Sequence, residues 1–132
     1  MSQENVEIVK RMIAALNARE IDGYLACCTE DVVLRTPLAE IGGVYEGADG
    51  IRRFLVDVED AAPDFRIDVE RVESVGPSQV LALARIRSTG RASGISTDAA
   101  TTNVYDFAAG RVKRTRIFLD HEQALKAVGL AE

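Results

Sequence analysis

Few residues of this chain are of a type that could do chemistry, and their spacing narrows what that chemistry would be. The only histidine, His121, stands beside Asp120. An imidazole next to a carboxylate suggests a general base, but adjacent residues at a helix start diverge, so a capping Asp120 and a solvent-exposed His121 are expected. Cys27 and Cys28 adjoin in a helical stretch, with no third cysteine for a disulfide framework or a zinc site. They read as core or near-core thiols rather than nucleophiles. Arg85 and Arg87 close an alternating run that contains Leu81 and Leu83. If that parity faces a cavity, the two arginines approach its mouth, where a guanidinium fork suits a carboxylate or polarised oxygen. The competing reading is a pair of rim arginines held in salt bridges. Tyr24, in the same helical stretch as the cysteines, places its hydroxyl either at a cavity mouth or in solvent. No carboxylate spacing suggests a metal, and no cofactor motif is present, so neither is expected.

The composition bounds the rest. With 132 residues, 47% of them hydrophobic, the chain has apolar surface for one core, and a single domain over 1–132 is expected. Sixteen basic against twenty-one acidic residues, without a Lys/Arg cluster, argue against nucleic acid as a partner. Met1–Arg19 carries charges throughout, unlike the apolar part of a signal peptide, and no apolar stretch is long enough to span a bilayer. The expectation is a cytoplasmic protein without a membrane partner.

The elements that must position any site follow from periodicity. Val6, Val9, Ile13 and Leu16, flanked by Met12, mark a first helix, and residues 21–28 a short second one. Val32–Thr36 reads as a strand ended by Pro37. Gly42, Gly43 and Gly47 bracket a brief segment around Val44 and Tyr45, and Ile51, Phe54, Leu55 and Val58 make a third helix. Phe65, Ile67 and Val69 alternate as a strand whose phase changes on reaching Val72, which suggests a bulge. Residues 79–88, 96–107 and 112–119 form long antiparallel strands, and Asp120, with Gln123 three residues on, opens a last helix ended by Gly129. The order predicts an α+β fold: a strongly curved, mostly antiparallel sheet wrapped around helices as a cone, open at one end.

That order, together with Ala14-Ala15-Leu16-Asn17-Ala18, Tyr45-Glu46-Gly47, Gly110-Arg111-Val112 and the run from Gly90-Arg91-Ala92-Ser93-Gly94 to Asp120 and Ala124-Leu125, resembles SnoaL-like proteins. These belong to the nuclear transport factor 2-like superfamily, with its cystatin-like roll. The resemblance covers almost the whole chain and implies a mostly apolar cavity in the cone, used by relatives such as ketosteroid isomerase, limonene-epoxide hydrolase and polyketide cyclases. It places the isomerase's tyrosine at Met12, its general-base aspartate at Thr36 and its protonated aspartate at Asn103, where an amide can still donate to an oxygen. It places the epoxide hydrolase's aspartate base near Ile117, and its arginine and second aspartate near Arg85 and Arg87. Both carboxylate bases are therefore replaced, and neither reaction is expected.

If Asn103 points inward, alternation brings Tyr105 and Phe107 to the same face, and the resemblance adds Thr115, Ile117 and Leu119, with Leu34 and Thr36 beside them. Asn103 then either contacts a ligand or satisfies nearby backbone, and Tyr105 and Phe107 either grip it or fill the core. Arg114, Arg116 and Phe118 would face outward with Ala84 and Ile86, forming a mixed face suited to a homodimer. The catalytic residues are unknown. Two functions follow: a pocket protein for a small apolar molecule bearing an oxygen function, with lyase, isomerase or cyclase activity, or a non-catalytic ligand-binding or dimeric accessory module.

Overall fold

The structure is a computed structural model and describes residues 2–37 and 43–129; Gly42, one of the glycines expected to bracket the segment before the third helix, lies outside them. The first helix, α1 (Ser2–Asn17), forms because Val6, Val9, Met12, Ile13 and Leu16 fall on one stripe, and all five are buried. Its end is fastened to the sheet by side-chain bonds that imitate strand pairing. Asn17 Nδ2 donates to the Ile67 carbonyl at 2.8 Å, and the Ile67 N–H donates back to Asn17 Oδ1 at 2.8 Å. Arg19 then turns the chain with φ of 60°, and its guanidinium holds the joint by donating to the Leu16, Phe65 and Pro63 carbonyls and to Glu59.

After this joint come α2 (Ile21–Ala26), β1 (Cys28–Thr36), β2 (Gly43–Glu46), α3 (Gly47–Ala61), β3 (Arg66–Val75), β4 (Gln79–Thr89), β5 (Ser96–Ala108), β6 (Arg111–Phe118) and α4 (His121–Ala127). The strands make one curved sheet in the order β2-β1-β6-β5-β4-β3. Every pairing is antiparallel except β1 with β6. The expected α+β cone is thus present, with α1 packed against β3 and α3 against β1 on its concave side.

Three boundaries differ from the sequence reading. The second helix stops at Ala26, because the Val112 N–H bonds to the Cys27 carbonyl and Cys28 registers with Val112, drawing residues expected at a helix end into β1. The third helix starts at Gly47, a full turn before its apolar stripe. Gly50 inside it meets the β2 backbone so closely that a Cβ would stand 2.9 Å from the Tyr45 carbonyl carbon. The bulge in β3 falls between Val69 and Arg71, just before the expected position. The last helix opens as foreseen at Asp120, whose carboxylate accepts from the Glu122 N–H at 2.9 Å, and Gly129 takes the left-handed conformation after it.

The main correction concerns β4. Val80, Ala82, Ala84 and Ile86 face the helices and are fully buried, so the expected outward placing of Ala84 and Ile86 is reversed. Leu81 and Leu83, with Arg85 and Arg87, lie on the opposite, convex side. The physical reason is α4, which folds back over the convex side. It buries Leu81 and Val104 against Ala124, with Phe118, Leu125 and Val128 packed around them. Both faces of β4 therefore need apolar residues along part of its length, and alternation loses its meaning there.

Candidate functional site in the cone interior

The long strands set the geometry. Register places Val80, Tyr105 and Thr115 in one inward row across β4, β5 and β6, and Ala82, Asn103 and Ile117 in the next. Above these rows lie Met12, Ile13 and Leu16 of α1, Tyr24 of α2 and Phe54 of α3, with Leu34 and Ile67 from the flanking strands. Together they enclose a cavity of about 10 Å³, room for the centre of about one water molecule.

Of the residues predicted for the site, Met12, Tyr24, Asn103, Tyr105, Thr115 and Ile117 are brought together here. Thr36 is buried two residues beyond Leu34 on the same strand but does not line the cavity. Arg85 and Arg87 do not approach it at all. They sit on the convex face in a ladder of ion pairs, Arg85 Nε to Asp98 at 2.6 Å and Arg87 Nε to Asp68 and Asp98 at 3.4 and 3.6 Å. The salt bridges of the competing reading are present, but on the convex face rather than at a cavity rim. Phe107 belongs to the inner core, whereas Leu119 is 52% exposed and not part of the cavity. Sequence reasoning did not single out Ile13, Leu16, Phe54 and Ile67 as lining residues, although their periodic apolar placing marked them as core.

The polar groups of the cavity are few and neutral. Asn103 is 0% exposed; its Nδ2 donates to the Tyr105 hydroxyl at 3.4 Å, and its Oδ1 has no partner among the described residues. The Thr115 hydroxyl is also buried and has no partner at regular hydrogen-bond geometry, but it faces Tyr24 closely enough that its hydrogen bonding favours that phenolate. Burial, with the nearby Cys28 and Tyr105, nevertheless holds the Tyr24 hydroxyl well above the ordinary tyrosine range. Burial pushes Tyr105 up to about 12 against the opposing Asn103 bond. The Cys28 thiol is likewise pushed up to about 12 by burial, and its Sγ donates to the Tyr24 carbonyl at 3.4 Å. Among the described residues, no carboxylate, histidine, lysine or arginine lines the cavity. The described lining residues can exchange hydrogen bonds with a bound group.

The opposite face shows what the cavity lacks. Asp106 is 5% exposed on the convex side, where it accepts from Gln79 and Arg114 at 2.7 Å and from Arg116 at 3.1 Å. Burial disfavours its charge, but these donors and the two arginine charges outweigh burial and hold the carboxyl below the usual range. His121 Nδ1 meets the Thr102 hydroxyl at 2.8 Å, fastening α4 to β5, while the ring stays exposed and far from the cavity lining. It is a structural contact, as its neighbour Asp120 is a cap. Among the described residues no cluster of potential ligands could hold a metal ion, and no helix is long and apolar enough to cross a membrane.

A curved sheet closed over helices around a small, mostly apolar interior defines an α+β cone, a fold on which chemistry varies with the lining. The chain belongs to the SnoaL-like domain family, whose model matches residues 9–115. Solved structures share the fold. An NTF2-like protein of unknown function from Burkholderia pseudomallei superposes with a TM-score of 0.79 at 22% identity, over 98% of this chain and 99% of that one. TerC, co-crystallised with polyporic acid, gives 0.78 at 20% identity over 95% and 98%. A putative polyketide cyclase from Xanthomonas campestris pv. campestris gives 0.77 at 17% identity over 97% and 98%. At these identities the likeness shows the fold alone. No curated protein matches the chain in sequence.

Proposed function

We propose that the protein binds a small, largely apolar molecule bearing an oxygen function inside the cone, and that it does so without base catalysis. The observation that carries this reading is Asn103: fully buried in an otherwise apolar lining, with one end of its amide unpartnered. An unsatisfied buried amide costs free energy unless something completes it. The neutral lining supports the non-catalytic alternative over lyase, isomerase or cyclase activity, because none of its described residues is a general base near neutral pH. The fold of TerC, which was crystallised with polyporic acid, accommodates a small molecule, and the same use is proposed for this chain. Because the cavity is small as it stands, a ligand gains space from the unbranched Met12 and from Tyr24 on the six-residue α2. The proposal includes a cytoplasmic site of action and a homodimer through the convex face, where Phe118 is half-buried beside Leu119.

Native mass spectrometry of gently purified protein tests the reading. The expected spectrum carries a bound small molecule that is lost in Asn103→Ala. Isomerisation of a 3-oxo-Δ5 steroid should meanwhile run at the buffer rate. Robust isomerisation that disappears with Asn103→Ala would overturn the non-catalytic reading.

A further inference from the structure

We infer that the oxygen function this cavity selects is a hydroxyl, so that its ligand is a small alcohol or phenol rather than a ketone; the inference rests on the ligand-binding reading above. Three buried polar groups on the inner sheet face make no regular hydrogen bond among the described residues, Thr101 Oγ1, which is outside the cavity lining, and Asn103 Oδ1 from β5 and Thr115 Oγ1 from β6, these two at 0% and 3% exposure. Both line the cavity, on adjacent strands one inward row apart. Asn103 Nδ2 is turned to the Tyr105 hydroxyl, so the amide shows the cavity an acceptor. An acceptor with no donor is completed only by a group that brings a proton. The Thr115 hydroxyl, in turn, can give its own proton to an incoming oxygen.

A ligand hydroxyl satisfies both at once, donating to Asn103 and accepting from Thr115. A carbonyl accepts only, and against Oδ1 it sets two acceptors face to face. The cost of leaving a buried group unpaired corresponds to roughly a 5- to 150-fold loss of affinity. Burial keeps Tyr24 and Tyr105 neutral, so they give the site no reason to recruit a charged ligand. The rest of the lining is aliphatic or aromatic, so the body of the ligand is hydrocarbon.

The test is calorimetric titration of the whole chain with a matched series of cyclohexanol, cyclohexanone and methylcyclohexane, which share a ring and differ in the one group that matters. Cyclohexanol is expected to bind at least roughly 10-fold more tightly than either of the others. Thr115→Val and Asn103→Leu, each checked for an unchanged far-ultraviolet spectrum, should bring the three ligands to similar affinities while hydrocarbon binding persists. The wild-type series stands alone if either variant fails to fold. Equal binding of alcohol and ketone would overturn the hydroxyl preference and leave the pocket reading intact. Failure of all three to bind would overturn both.

Discussion

The two faces of the sheet solve the same problem in opposite ways. On the convex side a buried carboxylate, Asp106, is kept ionised by three donors and two arginine charges. On the concave side of the same sheet the buried polar groups are neutral, and Thr101, Asn103 and Thr115 are left without a partner among the described residues. The convex cluster satisfies both carboxylate oxygens of Asp106, although Arg116 Nε is left without a partner among the described residues. The concave cluster is incomplete, and an incomplete buried polar cluster is where a ligand's own polar group has something to contribute. Charge in this protein marks structure, and unsatisfied neutrality marks the candidate site.

The largest expected effect on that contrast comes from removing the charge. Asp106→Ala should lower stability by about 2–3 kcal/mol, since it strands Arg116, which is largely buried, beside the exposed Arg114. Denaturant unfolding checks this. Asn103→Leu should, by contrast, leave stability unchanged or raise it by up to about 1 kcal/mol, because the amide it replaces makes one long hydrogen bond and misses another. Equal losses in the two variants would erase the distinction between the faces.

Dependence on pH sharpens the comparison from both ends. The folded pKa of Asp106 lies below its unfolded value of roughly 3.9, so its contribution is present above about pH 4 and is lost as pH falls through the folded value. Tyr24 and Tyr105 behave in the opposite sense. Their folded pKa values are raised, so their contribution is whole below the unfolded value of roughly 10 and is lost as pH rises, toward about 12 for Tyr105. Melting temperatures across pH should show Asp106→Asn flattening the acid limb alone and Tyr105→Phe the alkaline limb alone.

The fold was legible because the apolar periods of α1 and α3 each admit one burial pattern. Asn103, Tyr105, Thr115 and Ile117 share the inward rows of β5 and β6 by register, but β5 is buried on both faces from Thr101 to Phe107, so it was the resemblance that brought Thr115 and Ile117 to that face. In β4 alternation failed, since Val80 to Ala84 is apolar on both faces and α4 hides the outer one. The arginines held the missing information: Arg85 and Arg87 share a parity, and a charged pair belongs on the side that meets solvent and Asp98. The start of β1 was hidden for another reason. Its first pairing is with Val112, more than eighty residues away, and no local pattern reports a parallel partner at that distance. The smallest expected effect belongs to the corrected arginines. Arg85→Ala should move neither the melting temperature nor ligand affinity measurably, because its pair with Asp98 is exposed and remote from the cavity.

The account turns on a ligand entering the neutral face and sparing the charged one. Side-chain nuclear magnetic resonance during titration with cyclohexanol reads both faces in one experiment. The account predicts saturable shifts in the Asn103 side-chain amide and the Met12 methyl, with the Arg114 and Arg116 guanidinium signals unmoved. Saturable shifts at those arginines, with Asn103 and Met12 still, would contradict it.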